Sequence, residues 1–422
     1  MPRTSTSRSL SQPQPVVVRL TIWGLLAVQG ALAASSGYLV ALLLAAWDSA
    51  RARPEPPSRR PRPRLRLVVL VPAHDEQAGI RATLDSVAGC AYPAEALRTI
   101  VIADNCSDRT ADRARAAGVE VWERTDPTRR GKGPALAWAL GRLQAAAETY
   151  DAVVVLDADC LASPNIFSAI EGRLRSGAGA VQVNYVAGNP DASQAARLRF
   201  AGYALTNTVR FAGKQRLGLS CGLIGSGMAF TSDLLRRAPW TATGLVEDAE
   251  YHMRLIAAGE RAEFVPEAWV SSAVPTTLRG SPNQQARWEQ GKLELIRQWS
   301  PRLVGAGLAR RDVTRFHAGL ECLVPPQSLI AAGSAASALA GALLGSRRLL
   351  LLSTATLAAQ ASFVFGGLRL VRAPVRVYGA LLVAPVLVVG KVALYARLSV
   401  GRGPKTWVRT EREQPATAGE PR

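Results

Sequence analysis

Asp157 and Asp159 stand two residues apart where the apolar run Ala152 to Leu156 gives out. At that point the chain leaves extended geometry, so both carboxylates can turn toward one hard cation whose remaining oxygen ligands a diphosphate could supply. An Asx turn closing the strand would use the same residues without an ion. Much further along, Glu247-Asp248 follow Gly244 and precede the helical pattern AEYHMRLIAAGE. Negative charge is favoured at a helix N-terminus, so the pair reads either as an acidic first turn or as a source of a general base.

Gln284, Arg287 and Trp288 fall on one face of a helix spanning SPNQQARWEQGKLELIR, by their spacing of three and four. A guanidinium fork matches diphosphate oxygens, and an indole face can carry a sugar ring. The other reading is an amphipathic helix lying on a membrane, which is compatible with the first. Gly131-Lys132-Gly133 is a flexible cationic loop able to approach phosphate, although no Walker sequence is present. His74, His252 and His317 lack paired-histidine spacing, which argues against zinc.

Elements that would position these groups are legible in the first half of the chain. Leu67 to Val71, Thr99 to Ala103, Val119 to Trp122 and Ala152 to Leu156 read as short buried strands. Helical patterns lie between them, through Ile80, Leu84 and Val87, through the Ala- and Arg-rich stretch after Asp108, and from about Ala135 to Ala147. This alternation predicts an α/β domain with a mostly parallel sheet, with ligands gathering beyond the carboxyl ends of the strands. Asp75, Asp104 and Asp157 stand at three of those four ends.

Residues 20–47 carry no formal charge, and at about 1.5 Å per residue they exceed a hydrocarbon core of about 30 Å. They predict a transmembrane helix after an N-terminal tail of residues 1–19. The run is longer than a signal peptide uses. A Pro/Arg-rich linker, 48–66, follows, holding Arg51, Arg53, Arg59, Arg60, Arg62, Arg64 and Arg66. By the positive-inside rule this side, and the catalytic body with it, faces the cytoplasm of a multi-pass cell-membrane protein. The net charge of +19 is thereby explained by the membrane and not by nucleic acid. Cys90, Cys106, Cys160, Cys221 and Cys322 are odd in number and widely spaced, which suits reduced thiols in that compartment.

Beyond a body at 67–300 and an interfacial segment at 301–325, candidate spans lie near 326–344, 349–367 and 377–396, within a membrane region of 326–396. Three crossings would put the basic tail, 397–422, with Arg397, Arg402, Lys405, Arg409 and Arg412, outside. That conflicts with the positive-inside rule, so one segment is expected to be re-entrant or interfacial, the last being the candidate because it holds Pro385 and Lys391.

In their order, VPAHDE, ADNCSD, Gly131-Lys132-Gly133, Asp157-Ala158-Asp159 and Glu247-Asp248 followed by Q-x-x-R-W resemble the family 2 glycosyltransferases of GT-A fold. The likeness is greatest to the membrane-bound cellulose, chitin and hyaluronan synthases, over about residues 67 to 300. The resemblance implies that Pro72, Asp75, Glu76 and Asp104 line the base and ribose of a nucleotide-sugar. It implies Lys132, Gln284 and Arg287 at the diphosphate, Asp157 at the donor, Asp159 as ligand to Mg²⁺ or Mn²⁺, and Asp248 as general base. Glu247 and Trp288 would lie on the acceptor side, and Cys221 to Met228 matches the family's acceptor-side loop loosely. The implied reaction is inverting sugar transfer, from a UDP-sugar first among candidates, to a polysaccharide or other glycan.

Two features depart from those synthases: Val246 stands where they carry Thr, and the apparent spans are few for a polysaccharide channel. A lipid acceptor such as a polyprenyl phosphate or a diacylglycerol is the alternative, and a non-catalytic nucleotide-binding membrane scaffold is a third reading. Sugar, acceptor and oligomeric state stay open at this point.

Overall fold

A computed structural model describes residues 16–51, 64–146, 149–277 and 282–400. Most of the basic linker, including Arg53, Arg59, Arg60 and Arg62, and the tail from residue 401, including Arg402, Lys405, Arg409 and Arg412, lie outside the described residues. The chain packs as two units, Met1–Val40 with Pro325–Phe363, and Ala41–Val324 with Val364–Arg422.

Helix α1, Val16–Arg51, starts before the expected residue 20 and runs past 47, because no proline interrupts the sequence between Pro15 and Pro54. The linker therefore begins inside a helix. In the larger unit the chain then runs β1 (Leu67–Ala73), α2 (Ile80–Ala88), β2 (Leu97–Asp104), α3 (Thr110–Ala116), β3 (Glu120–Arg124), α4 (Lys132–Ala145) and β4 (Ala152–Val155). These are the four strands read from the sequence, with ends moved by at most two residues.

The following stretch was not read as strand. It forms β5 (Cys160–Ala162), α5 (Ile166–Arg175), β6 (Ala180–Ala187), α6 (Gln194–Tyr203), a π-helical turn at Ala204–Val209, α7 (Arg210–Arg216), β7 (Met228–Thr231), α8 (Ser232–Arg237), α9 (Glu247–Ala258) and β8 (Ala262–Ser272). One sheet joins the strands in the order β3-β2-β1-β4-β7-β6-β8-β5. The pairs β1 with β2, β1 with β4, β2 with β3 and β6 with β8 are parallel, while β7 runs antiparallel to β4 and β6, and β5 to β8.

Side chains alternate across this sheet with a period of two, so β1 serves both cores. Leu67, Val69 and Val71 join Leu84, Val87 and Phe167 on one face. Val68 and Leu70 join Leu136, Phe230 and Tyr251 on the other. Burial on both faces makes β1, β4 and the Ile100 to Ala103 part of β2 apolar runs, and the three parallel strands bring their carboxyl ends together at one edge.

Helix α10, Pro282–Arg310, continues through Pro301, so the boundary drawn at residue 300 falls inside a helix. With α11, Val313–Glu321, it packs Trp299, Leu303 and Ala318 against Met253 and Ile256 of α9. Part of the segment expected to be interfacial from residue 301 thus packs against α9. Glu321 ties α11 to α7, its carboxylate accepting from Arg210 at 2.9 Å and from the buried Lys214 at 3.0 Å. Lys214→Met removes the buried ammonium that neutralises this carboxylate, and a loss of about 3–5 kcal/mol in unfolding free energy is expected, readable by denaturant titration in detergent.

Helices α12 (Gln327–Leu343) and α13 (Arg347–Leu370) complete the apolar region with α14 (Val375–Ala380) and α15 (Ala384–Ser399). In the smaller unit, Gln29 donates to Thr356 at 2.8 Å and Ser334 at 3.3 Å, and Gln360 donates to Ser36 at 2.8 Å. Such bonds between apolar helices fix which faces meet. Among the described residues, three helical stretches are long and apolar enough to cross a membrane, Val16–Ala50, Arg347–Leu370 and Val375–Ser399, while Gln327–Leu343 is shorter.

Candidate active site

Where β1, β2 and β4 end, the chain opens a cleft of about 1080 Å³. Pro72, Glu76, Asp104, Lys132, Asp157, Asp159, Glu247, Asp248, Gln284, Arg287 and Trp288 all line it. Asp75 does not appear in the lining. Its backbone adopts a positive φ of 54°, and its carboxylate accepts from Ser107 N at 2.6 Å and Asp108 N at 3.2 Å. The loops after β1 and β2 are stitched together by Asp75.

Asp104 lines the cleft with its carboxylate held by Arg124 at 2.5 Å, each side chain only 6% exposed. Arg124 also reaches Asp126 at 2.9 Å, so the pair fixes the wall between β2 and β3. The sequence reading missed Arg124, which is the last residue of β3 and carries no motif.

Lys132 opens α4 after Gly131, whose φ of 110° turns the chain into the helix. A Cβ on Gly133 would stand 2.6 Å from Ala242 O and 3.1 Å from Glu247 Cβ. Only glycine lets the first turn of α4 sit so near the start of α9. The Lys132 ammonium donates to the Asp157 carboxylate and, at 2.7 Å, to Gly225 O. A Cβ built on Gly225, whose φ is 87°, would meet Lys132 Nζ at 3.2 Å, Asp248 Oδ2 at 3.3 Å and Asp157 Oδ2 at 3.9 Å. Groups from α4, the end of β4 and the start of α9 therefore converge on one glycine, which lies in the loosely matched 221–228 segment.

Burial pushes Glu247 up to about 7, with the charge of Asp248 adding to the effect. Asp248 is likewise raised by burial, against the pull of Lys132. Burial alone would lower Lys132, but Asp157, Glu247 and Asp248 hold its ammonium above the ordinary lysine value. A cation among three carboxyls is thus kept charged, while burial and mutual repulsion favour a proton on the acidic pair.

Ligand atoms of Asp157, Asp159 and Cys160 lie within 4.8 Å of one another. Burial, followed by the charges of Asp159 and Asp157, pushes the Cys160 thiol well above its ordinary value. Cys160 stays protonated, leaving two carboxylates as hard oxygen donors. Ser272 Oγ donates to Asp159 Oδ2 at 3.1 Å, which orients one of them.

From α10, Gln284, Arg287 and Trp288 enter the same cleft, joined by Lys292, one turn beyond Trp288, which the sequence reading left out. The Trp288 ring is 38% exposed. Arg287 Nε is buried without a hydrogen-bond partner among the described residues. Burial lowers the Arg287 pKa while Glu247 and Asp248 work to raise it, placing the guanidinium beside the acidic pair. Val246 packs where a Cβ on Gly291 would stand, 2.6 Å from Val246 Cγ2, so the valine found in place of threonine fits α9 to α10. Tyr185, Tyr203 and Asn207 also line the cleft, from β6, α6 and the π-helical turn. Single-turn π segments recur at functional sites, but no local sequence pattern announced this one.

A mostly parallel sheet with acidic strand ends facing one cleft defines a nucleotide-diphospho-sugar transferase fold of GT-A type. Among solved structures the chain is similar to a mannosyltransferase from Pyrobaculum calidifontis, described in complex with GDP-Man and Mn²⁺, with a TM-score of 0.51 and 24% identity over 80% of this chain and 97% of that one. Residues 63–291, more than half of the chain, match the family described as glycosyltransferase like family 2, and the chain belongs to that family. An N-acetylglucosaminyltransferase of Rhizobium meliloti (strain 1021) is 29% identical over 303 residues, 62% of this chain and 68% of that protein. The probable glycosyltransferase YdaM of Bacillus subtilis (strain 168) is 27% identical over 243 residues, 54% of this chain and 55% of its own length.

Proposed function

We propose that this chain is an inverting, membrane-bound glycosyltransferase that moves a sugar from a nucleotide-sugar, a UDP-sugar first among candidates, to an acceptor hydroxyl at the cytoplasmic membrane face. The observation that carries this reading is the convergence of Lys132, Asp157 and Asp248 on Gly225, with the Nε of Arg287, unpartnered among the described residues, on a side chain lining the same cleft.

In this reading Asp248 takes the proton of the acceptor hydroxyl as its oxygen forms the new bond to the anomeric carbon. The bond from that carbon to the diphosphate breaks on the opposite side, and the leaving oxygen keeps the electron pair. Lys132, Gln284 and Arg287 hold the departing diphosphate, whose charge repays the buried Arg287 Nε. Asp157 and Asp159 fit Mg²⁺ or Mn²⁺ as hard oxygen donors, and a bound ion would add neutralising charge at the diphosphate. Trp288 offers its ring to an acceptor sugar, and Glu247 keeps the acidic pair partly protonated.

Because burial raises Asp248 above its ordinary range, its base form accumulates as pH rises, and turnover at saturating donor is expected to climb with pH on the acid side of neutrality. A profile falling over that interval would contradict a carboxylate base. The reading itself is tested by incubating the purified protein with UDP- and GDP-sugars, with and without Mn²⁺, and recording released nucleotide. Metal-dependent release from one donor class supports it, whereas nucleotide binding with no release under any condition would leave a non-catalytic scaffold.

A specific cavity favours the second reading, a lipid acceptor. A pocket of about 490 Å³ lies between Ala46 and Ala50 of α1, Phe200, Ala212 and Leu370, and shares Tyr203 with the catalytic cleft. Labelled product partitioning into organic solvent would select a lipid acceptor, and product remaining with aqueous or insoluble glycan would select the polysaccharide.

A further inference from the structure

The helical stretch Val375–Ser399, of which α15 is the C-terminal part, is long and apolar enough to cross a membrane, yet the packing of α15 is that of a two-faced helix. Residues 384, 387, 388, 391, 394, 395 and 398 are buried or half-buried, and the intervening positions are exposed. The covered face carries the polar side chains. Lys391 Nζ lies 2.6 Å from Glu289 Oε1, and Tyr395 donates to the other oxygen of the same carboxylate. The open face is apolar, with Val386 at 58%, Val389 at 70% and Val400 at 68% exposure.

Glu289 belongs to α10, directly after Trp288 and two residues after Arg287, and its side chain is only 4% exposed. Helix α10 also carries Lys292, Glu294, Arg297 and Arg302, a charge load that hydrocarbon would not accept. Lys391 sits midway along α15 and is bonded to this helix, so a bilayer centred on α15 would have to take in the charges of α10 as well. The exposed Arg369, Arg372, Arg376 and Arg397 flank the apolar face and suit lipid phosphates at the interface.

We infer that α15 lies along the membrane surface, its valine face in lipid, and that Lys391 and Tyr395 act through Glu289 as positioning residues for Arg287 and Trp288. The inference rests on the proposed role of Arg287 and Trp288 for its catalytic part only; the placement of α15 stands on its own. It puts residue 399 on the same side as the catalytic body. It also removes the conflict between an odd number of C-terminal crossings and a basic tail.

Two measurements test it. In sealed vesicles of one orientation, cysteines introduced as Ser399→Cys and Arg310→Cys should both react with a membrane-impermeant maleimide from the same face, above the level of the parent protein. Labelling from opposite faces would overturn the surface placement whatever the enzyme activity. In the full-length protein, Lys391→Met should lower kcat/KM for the donor by about tenfold or more, as a misplaced contact residue does. Lys391→Arg should keep most activity, and the charge exchange Glu289→Lys with Lys391→Glu should restore part of the loss. Wild-type kcat/KM in Lys391→Met, or a loss that neither restoring variant relieves, would remove the positioning role.

Discussion

Asp248→Asn is expected to lower turnover by about 10²–10⁴-fold while nucleotide-sugar affinity stays near that of the unsubstituted protein. The amide matches the carboxylate in shape, so α9 and its bond from Ala249 N, 2.7 Å from Asp248 Oδ1, can persist. What disappears is the capacity to accept the acceptor's proton. Removing one negative charge from the pair also lets Glu247 ionise more readily, because part of its upward shift comes from Asp248. The pair of substitutions therefore distinguishes the two carboxyls. Glu247→Gln should leave considerably more activity than Asp248→Asn. The reverse order would make Glu247 the base and Asp248 its neighbour. Single-turnover rates with donor binding measured separately provide the comparison.

Arg287→Ala is expected to reduce kcat by about 10²–10³-fold, the loss associated with removing one preorganised donor from a developing anion. The guanidinium is half-buried beside Glu247 and Asp248, and its Nε has no partner among the described residues. A buried donor left in that condition costs stability unless a ligand completes it. Lysine keeps the charge but loses the planar fork, so Arg287→Lys should recover only a small part of the rate. Purified variants assayed at saturating donor test this, and an Arg287→Ala enzyme within a few-fold of normal kcat would place the diphosphate elsewhere.

The front half of the sheet could be read from sequence because β1, β4 and the Ile100 to Ala103 part of β2 are buried on both faces and therefore appear as apolar runs. The back half could not. Strands β5 and β7 hold three and four residues, too few to show a period, and the antiparallel placement of β7 between β4 and β6 depends on tertiary pairing. Most of the proposed site residues reach one cleft because the strand ends that carry them share an edge of the sheet. Asp75 does not, since its positive φ turns the carboxylate onto the Ser107 turn, a conformation its residue type permits but its position in VPAHDE does not reveal. Arg124, Lys292 and Asn207 were missed for different reasons. Arg124 matters only through its pairing with Asp104, Lys292 was legible one turn after Trp288, and Asn207 depends on a π-helical turn. Likewise, Lys391 looked like an anomaly in an apolar segment until its partner Glu289 was in view.

The central claim is that carboxylates and cations distant in sequence surround one sugar-linked diphosphate with its metal ion. A structure determined with nucleoside diphosphate and Mn²⁺, using anomalous or cryo-EM density to place the ion, addresses it most directly. The proposed site predicts Mn²⁺ against Asp159 and the diphosphate between Lys132 and Arg287, within reach of Gly225. Density for nucleotide and ion away from Asp157, Asp159 and Arg287 would contradict it.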